Sequence, residues 1–165
     1  IQELIQDRLH TMLSNNPDHR IKFHERYQEI IEAYNSQQDR ATIEQTFDDL
    51  MKLVKDMGQE EQRYVREGFS SDEELSLYDL LCSNNLSKKD IKKIKKLAVG
   101  LLQKVKAKIA ELDHWTDKQE TQATIDNLIR DTLWAELPES YDDQSITEHR
   151  QKIYEYVYTR YKDVS

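Results

Sequence analysis

The chain has 165 residues, of which 37% are hydrophobic and 34% are charged, and its net charge is −8 at pH 7. This composition is too apolar for an intrinsically disordered chain, and too acidic for a protein that coats nucleic acid over its whole surface. With only three glycines and two prolines, it also argues against an all-β fold with many tight turns.

The first third of the chain predicts amphipathic helices. Residues 1–13 form one amphipathic segment, and Asn16-Pro17 starts a second, because proline at the first helical position loses no hydrogen bond. Two series of apolar residues then recur at helical spacing, on either side of a polar linker at residues 36–40. They are Phe23, Tyr27, Ile30 and Tyr34, followed by Ile43, Phe47, Leu50, Val54 and Met57. We assign residues 1–36 to an N-terminal helical segment and 37–165 to a C-terminal helical domain.

The rest of the chain continues the helical pattern. Ser71 to Glu74 is a capping box before a short helix, and Ser87 caps a lysine-rich helix of roughly 23 residues. Further boxes at Thr116 to Gln119 and Ser145 to Glu148 predict two more helices. The predicted fold is all-α, a compact bundle of about six to seven helices with short loops.

The lysine-rich helix is the one strongly basic segment. Residues 85–100 carry six lysines and one acid, Asp90. On a helical wheel, the apolar residues from Ile91 to Ile109 share one side and most of the lysines share the other. Two interpretations stay open: a solvated outer face of a core helix, or a contact with an anionic partner. The candidates for that contact are Lys88, Lys89, Lys92, Lys93 and Lys96.

No residue of the sequence is assigned a catalytic role. The sequence has no glycine-rich phosphate loop, no HExxH motif, and no cysteine or histidine pair with metal-ligand spacing. The five histidines are scattered, so we expect no metal site and no cofactor in this chain. The single cysteine, Cys82, excludes an internal disulfide, fits a reducing cytoplasm, and is interpreted as a packing residue.

Aromatic residues near the C-terminus favour packing over base stacking. Tyr154, Tyr158 and Tyr161 lie on or beside the apolar stripe of the last helix, and Trp115 lies directly before the predicted box at Thr116 to Gln119. These four residues are our candidates for the core or for a protein interface.

No run of apolar residues approaches the roughly 20 that a membrane helix needs, and a signal-peptide pattern is absent. The missing initiator methionine predicts a piece of a longer protein.

Several segments match family motifs in the same order. Residues 16–35, NPDHRIKFHERYQEIIEAYN, match an NPxR segment that ends in Tyr-Asn, with one extra residue before Arg20. Residues 66–81, REGFSSDEELSLYDLL, match a pattern GLTEEELAxYDAL, and LSKKDIKKIKKLAVGLLQKV matches a lysine-rich helix. The next segment, LDHWTDKQETQATIDNLIRDTLWAELPESY, matches LDW…QxxxxAxIxxxIxxxLxxLPxxY, although His114 splits the Asp-Trp pair. A closing helix, IYEYVYTRY, follows.

Together these segments resemble the C-terminal helical domain of the motor, or restriction, subunit of type I restriction-modification enzymes. The resemblance implies a bacterial, cytoplasmic parent subunit with an endonuclease domain and an ATP-driven DNA translocase, which hold the ATP and Mg²⁺ outside this chain. None of their catalytic motifs is present, so the resemblance assigns no catalytic residue here. It implies a non-catalytic role in assembly with the methylation and specificity subunits, and sequence-independent contact with double-stranded DNA. Arg20 joins the five lysines as a DNA-contact candidate.

An alternative hypothesis is a stand-alone helical scaffold that binds another protein through its tyrosine-rich last helix. The two hypotheses differ in one observable property, because only the first predicts DNA affinity that falls with salt.

Overall fold

The computed structural model describes residues 2–37 and 39–162, and this part of the chain is mostly helical, with no β-strand. Eight α-helices run in chain order: α1 (Gln2–Asn15), α2 (Pro17–Ser36), α3 (Arg40–Glu61), α4 (Arg63–Arg66), α5 (Asp72–Leu81), α6 (Lys88–Glu111), α7 (Gln119–Glu136) and α8 (Asp143–Tyr161). A 3₁₀ turn, Trp115–Asp117, lies between α6 and α7. The predicted all-α class is confirmed. The described helices exceed the predicted number because α4 is a separate single turn after α3.

The chain divides into two compact units, Ile1–Asp72 and Glu73–Ser165. Residues within each unit contact one another more than they contact the other unit. The predicted boundary between residues 36 and 37 separates functional parts of the chain, and it stays a prediction.

The first unit is built from α1, α2 and α3, and α2 packs against both of the others. Each helix contributes one apolar face to a small core, as expected for amphipathic helices of this length. The buried apolar residues are Ile5, Leu9, Met12, Phe23, Tyr27, Leu50, Leu53 and Met57. The same unit carries 9 basic and 15 acidic residues over positions 1–72, so its net charge is −6.

The second unit is built around α6, whose apolar side is almost completely buried. Helices α7 and α8 pack on each other, and α7 also packs on α6. Trp115 and residues from α5, α7 and α8 complete the core. The α6 residues in it are Ile94, Leu97, Ala98, Leu101, Leu102, Val105 and Ile109.

Helix starts confirm some of the predicted caps and correct others. The Ser87 side chain accepts a hydrogen bond from the Asp90 backbone N–H at 3.1 Å, as predicted for α6. The predicted Thr116 and Ser145 caps are wrong: α7 begins after Lys118, and α8 is capped by Asp142, which accepts from the Ser145 backbone N–H at 2.8 Å. Before α8, Asp142 and Ser145 are both capping residues, and spacing alone does not choose between them. Before α7, the N-cap position is Lys118, and no side chain caps the helix there. No described helix has an apolar stretch long enough to cross a membrane.

Candidate nucleic-acid interface

Helix α6 presents its lysines to solvent because its other side is fixed in the core. Residues Ile94 and Leu101 are completely buried, and this anchors the helix in one rotation. The opposite side exposes Lys88, Lys89, Lys92, Lys93 and Lys96, which we call the lysine face. These five residues span eight helical steps, about 12 Å along the axis. That distance is the rise of three to four base pairs of B-DNA.

The positive charge of the lysine face is not neutralised within the part of the chain that the structure describes. None of its five ammonium groups forms an ion pair with a residue in the described ranges 2–37 and 39–162. The neighbouring Lys95 is half-buried, and its ammonium lies 5.7 Å from the centre of the Tyr78 ring. The free charge of α6 is therefore concentrated in the N-terminal half of the helix.

Lysines in the C-terminal half of α6 have acidic partners. Lys104 lies 3.9 Å from Glu136, and Lys106 lies 3.3 Å from Glu73. In the last turn, Lys108 lies 3.3 Å from Glu111. These exposed pairs contribute little to stability, but they reduce the positive potential in that half of the helix. The contrast between the two halves marks the lysine face as the candidate site.

The position of Lys88 and Lys89 is unfavourable for the helix itself. They occupy its first turn, where the aligned backbone dipoles already place partial positive charge. Asp90 offsets part of this cost, because it lies in the same turn. The same arrangement favours an approaching anion, which meets both the lysine ammonium groups and the positive end of the helix.

Replacing Lys88 and Lys89 with glutamine is expected to stabilise the second unit. Removing two cations from the helix start raises the midpoint of thermal unfolding by about 1 to 4 °C at low salt. Circular dichroism during heating measures this shift. Lys108→Gln is the control at the other end of α6, where a cation is favourable, and it should not raise the midpoint. A fall in the midpoint of the double variant would contradict the argument.

Arg20 lies in the core of the first unit and not on its surface. Its side chain is only 1% exposed, and its guanidinium donates to both carboxylate oxygens of Asp72, at 2.8 and 2.5 Å. It also donates to the Met12 carbonyl oxygen at 3.2 Å and to Glu60 at 3.4 Å. Burial alone would lower the pKa of Arg20, but hydrogen bonding and the charges of Asp72 and Glu60 raise it above its ordinary value. Because Arg20 is buried and binds groups of its own unit, it does not belong to the exposed lysine face.

The four aromatic interface candidates differ in exposure. Trp115 is completely buried and Tyr161 is 7% exposed. The Trp115 indole N–H donates to the Tyr161 backbone carbonyl oxygen at 3.0 Å. Tyr154 is half-buried and Tyr158 is 38% exposed, and both rings meet Trp115 edge to face. Burial raises the pKa of Tyr154 above its ordinary value, and the nearby charge of Asp126 raises it further. Only Tyr154 and Tyr158 thus offer surface to a partner.

The described part of the chain holds no cluster of three or more histidine, cysteine or acidic side chains able to bind a metal ion.

A family model described as type I restriction enzyme HindI endonuclease subunit-like, C-terminal, matches residues 1–162. The chain belongs to this family. Comparisons with curated proteins and with solved structures gave no match.

In this member of the type I restriction endonuclease subunit-like family, several residues that carry the motif resemblance are buried. Besides Arg20 and Trp115, Tyr141 is buried, and its hydroxyl donates to the Leu81 carbonyl oxygen at 2.5 Å. His149 contacts the adjacent carbonyl, that of Leu80, through Nδ1 at 3.0 Å. Tyr141 and His149 thereby satisfy two carbonyl groups at the end of α5, which a helix terminus otherwise leaves open. Motif spacing identified Tyr141 but not His149, whose partner is 69 residues away.

Proposed function

We propose that this chain is a non-catalytic helical domain of a type I restriction motor subunit, and that its lysine face contacts double-stranded DNA independently of sequence. The observation that carries the DNA part is the cluster of five exposed lysines without acidic partners among the described residues. Family membership supports the restriction-enzyme part of the proposal, because the description of the family refers to an endonuclease subunit. We further propose that the parent subunit is a bacterial cytoplasmic enzyme that translocates and cleaves DNA, with ATP and Mg²⁺ bound in other domains.

The chemistry of the lysine face supports contact with phosphates more than reading of bases. Lysine ammonium groups act as point charges on a flexible stem, whereas base recognition favours the bidentate geometry of arginine, asparagine or glutamine. Helix α6 contains no aromatic residue on which an unpaired base could stack. A contact of this kind binds any duplex sequence, which suits an enzyme that moves along DNA.

The charge distribution of the second unit supports one orientation of the duplex. Helix α6 carries nine lysines against two acids, whereas residues 112–162 carry 6 basic and 11 acidic residues. A duplex is therefore attracted to α6 and repelled by the surfaces of α7 and α8. We expect modest affinity when the chain is isolated, because the net charge of −8 opposes binding.

A salt titration tests the DNA contact. If all five lysines meet phosphates, the logarithm of the association constant for a duplex falls with the logarithm of salt concentration with a slope of about −4.5. Changing Lys88, Lys92, Lys93 and Lys96 together to glutamine should flatten the slope by about 3.6. Fluorescence anisotropy with two unrelated duplex sequences measures both slopes, which should be equal for the two sequences.

A matched variant controls for net charge in this titration. Lys104, Lys118, Lys152 and Lys162 are exposed lysines of the second unit outside the lysine face. Changing these four to glutamine removes the same charge, so a slope close to that of the wild type is expected. If the two quadruple variants lose equal affinity, only net charge acts and the lysine face is a solubility feature. Binding that is weak and independent of salt in all three proteins would instead favour the scaffold hypothesis.

We also propose that the chain contributes to assembly with the methylation and specificity subunits. The support is family membership together with exposed apolar surface on the first unit, where Phe47 is 54% and Met51 is 50% exposed. DNA binding and assembly then use surfaces of opposite character, one basic and one apolar.

A further inference from the structure

One side of helix α3 carries apolar residues that the core of the first unit does not cover. Ile43, Phe47 and Met51 recur at four-residue spacing and are 47%, 54% and 50% exposed. We call these three residues the α3 stripe. Val54 follows on the same side and is half-buried. Residues three or four apart lie one above another on a helix, so these four residues form a ridge about 16 Å long.

A groove of about 570 Å³ lies beside the α3 stripe within the first unit. Ile43, Phe47 and Leu50 supply its apolar wall, and the start of α1 forms another side. Among the described residues that line the groove, only Glu3 is charged. The groove leaves space beside the ridge for the side chains of a second helix, which is the geometry in which a helix binds through residues three or four apart.

The apolar residues of the ridge match a second copy of α3 that runs antiparallel. A two-fold axis at position 49, close to the middle of the ridge, places Phe47 of each copy opposite Met51 of the other. The same register places Ile43 of each copy beside Val54 of the other. Every residue of the ridge then meets an apolar residue, because antiparallel order brings the start of one ridge to the end of the other.

Moving the two-fold axis to Phe47 gives a poorer match. Val54 of one copy then lies opposite Arg40 of the other, and Lys55 lies beside that same arginine. The first contact sets an apolar side chain against a charge, and the second brings two cations together, which opposes association. The apolar pattern therefore selects the register centred at position 49.

The charges that flank the ridge agree with this register. Glu44 and Lys55 lie about 60° and 80° from Phe47 around the helix, in the same direction. The two-fold axis keeps this flank of both copies on one side of the contact. Glu44 of each copy therefore lies within about 2 Å, along the helix direction, of Lys55 of the other. Both side chains are exposed, and Lys55 forms no ion pair within the described ranges 2–37 and 39–162, so two ion pairs between the copies can form.

Like charges approach in two places in this pairing, and each has a compensating charge. Arg40 comes near Lys55 of the other copy, but Glu44 lies between them and is already 3.3 Å from Arg40. Asp48 comes level with Asp48 of the other copy to within about 3 Å, but it points about 100° away from Phe47. Lys52 of the other copy is equally near along the helix direction. The flanking charges thus favour the pairing in sum.

We infer that two copies of this chain associate through the α3 stripe, antiparallel, with Phe47 against Met51 and Glu44 against Lys55. The inference goes beyond the proposed function and does not rest on it. It assigns the exposed apolar surface of the first unit to a second copy, so that assembly with other subunits uses other surfaces. The ridge is short compared with the roughly 800 Å² per partner of a stable interface. We therefore expect a weak dimer, with a dissociation constant of about 10 to 100 µM.

Sedimentation equilibrium of the full chain, at concentrations from well below to well above that range, measures the association. Changing Phe47 and Met51 to serine is expected to weaken it at least about tenfold. The control changes Ile21 and Val65 to serine, because they are 45% and 57% exposed in the same unit but lie outside α3. The control should dimerise like the wild type. Circular dichroism checks that each variant keeps its helical content.

A charge exchange tests the register itself. Glu44→Lys and Lys55→Glu should each weaken the dimer about tenfold at low salt, because each sets like charges together twice. The double variant, Glu44→Lys with Lys55→Glu, restores opposite charges and should return to within about threefold of wild type. Both single losses should shrink as salt rises.

Three results would overturn the inference. A wild-type chain that stays monomeric throughout leaves the stripe to another partner. Equal association of the wild type and the variant with serine at Phe47 and Met51 places the contact elsewhere on the chain. A charge-exchanged double variant that stays as weak as the single variants excludes the antiparallel register centred at position 49.

Discussion

Replacing Arg20 with alanine is expected to lower the free energy of unfolding of the first unit by about 3 to 5 kcal/mol. The guanidinium is 1% exposed and joins Asp72, Glu60 and the Met12 carbonyl. Its removal takes from Asp72 the guanidinium that binds both of its carboxylate oxygens, and it leaves Glu60, only 6% exposed, with Arg63 at 2.8 Å as its remaining arginine partner. Removing one partner of a buried ion pair costs far more than the intact pair contributes. Hydrogen exchange over residues 1–72, together with urea unfolding, measures the loss and assigns it to this unit.

Arg26 provides the matched control, because it forms an ion pair of similar length in a different environment. Its guanidinium lies 2.8 Å from Asp56, but the two side chains are 40% and 45% exposed. Arg26→Ala is therefore expected to cost less than about 1 kcal/mol. The conservative change Arg20→Lys should recover only part of the loss, since an ammonium group does not reproduce the two parallel bonds to Asp72. Equal costs for Arg20→Ala and Arg26→Ala would contradict the argument from burial.

Arg20 also shows where sequence reasoning reaches its limit. Periodicity placed the helices well, because burial of one helix face imposes a regular spacing on apolar residues. It gave no signal that Arg20 is buried, since the residues that pair with it lie 40 and 52 positions away. A motif arginine therefore predicted a DNA contact in the sequence, whereas in the structure it holds α1, α3 and the first residue of α5 together. Only the folded chain brings these groups to one place.

The lysine face and the apolar face of α3 show the same limit in two different ways. The lysines were identified from the sequence because charge and apolar residues separate cleanly around α6. What the sequence did not predict is which lysines have acidic partners, because Glu136 and Glu73 are distant in the chain. In α3, Ile43 and Phe47 belong to the same apolar series as the buried Leu50. Spacing identified the face, but it did not tell which part of that face the protein covers itself.

Trp115→Ala is expected to lower the free energy of unfolding of the second unit by about 3 to 5 kcal/mol. The side chain is completely buried, so its loss leaves a large cavity beside α8. It also leaves the Tyr161 carbonyl oxygen without the indole donor, and it removes the edge-to-face contacts to Tyr154 and Tyr158. Urea unfolding followed by circular dichroism measures the cost. Trp115→Phe keeps most of the volume and should lose less.

The second tryptophan of the chain makes this prediction specific to burial. Trp134 is 51% exposed on α7, and Trp134→Ala should change the free energy of unfolding by no more than about 0.5 kcal/mol. Trp134→Phe also leaves Trp115 as the only indole, so its emission reports directly on the core. That emission should be that of a buried indole until α8 separates from the 3₁₀ turn. If Trp115→Ala costs as little as Trp134→Ala, Trp115 does not hold α8 in the core. Its other interpretation, as a residue of a protein interface, is then favoured.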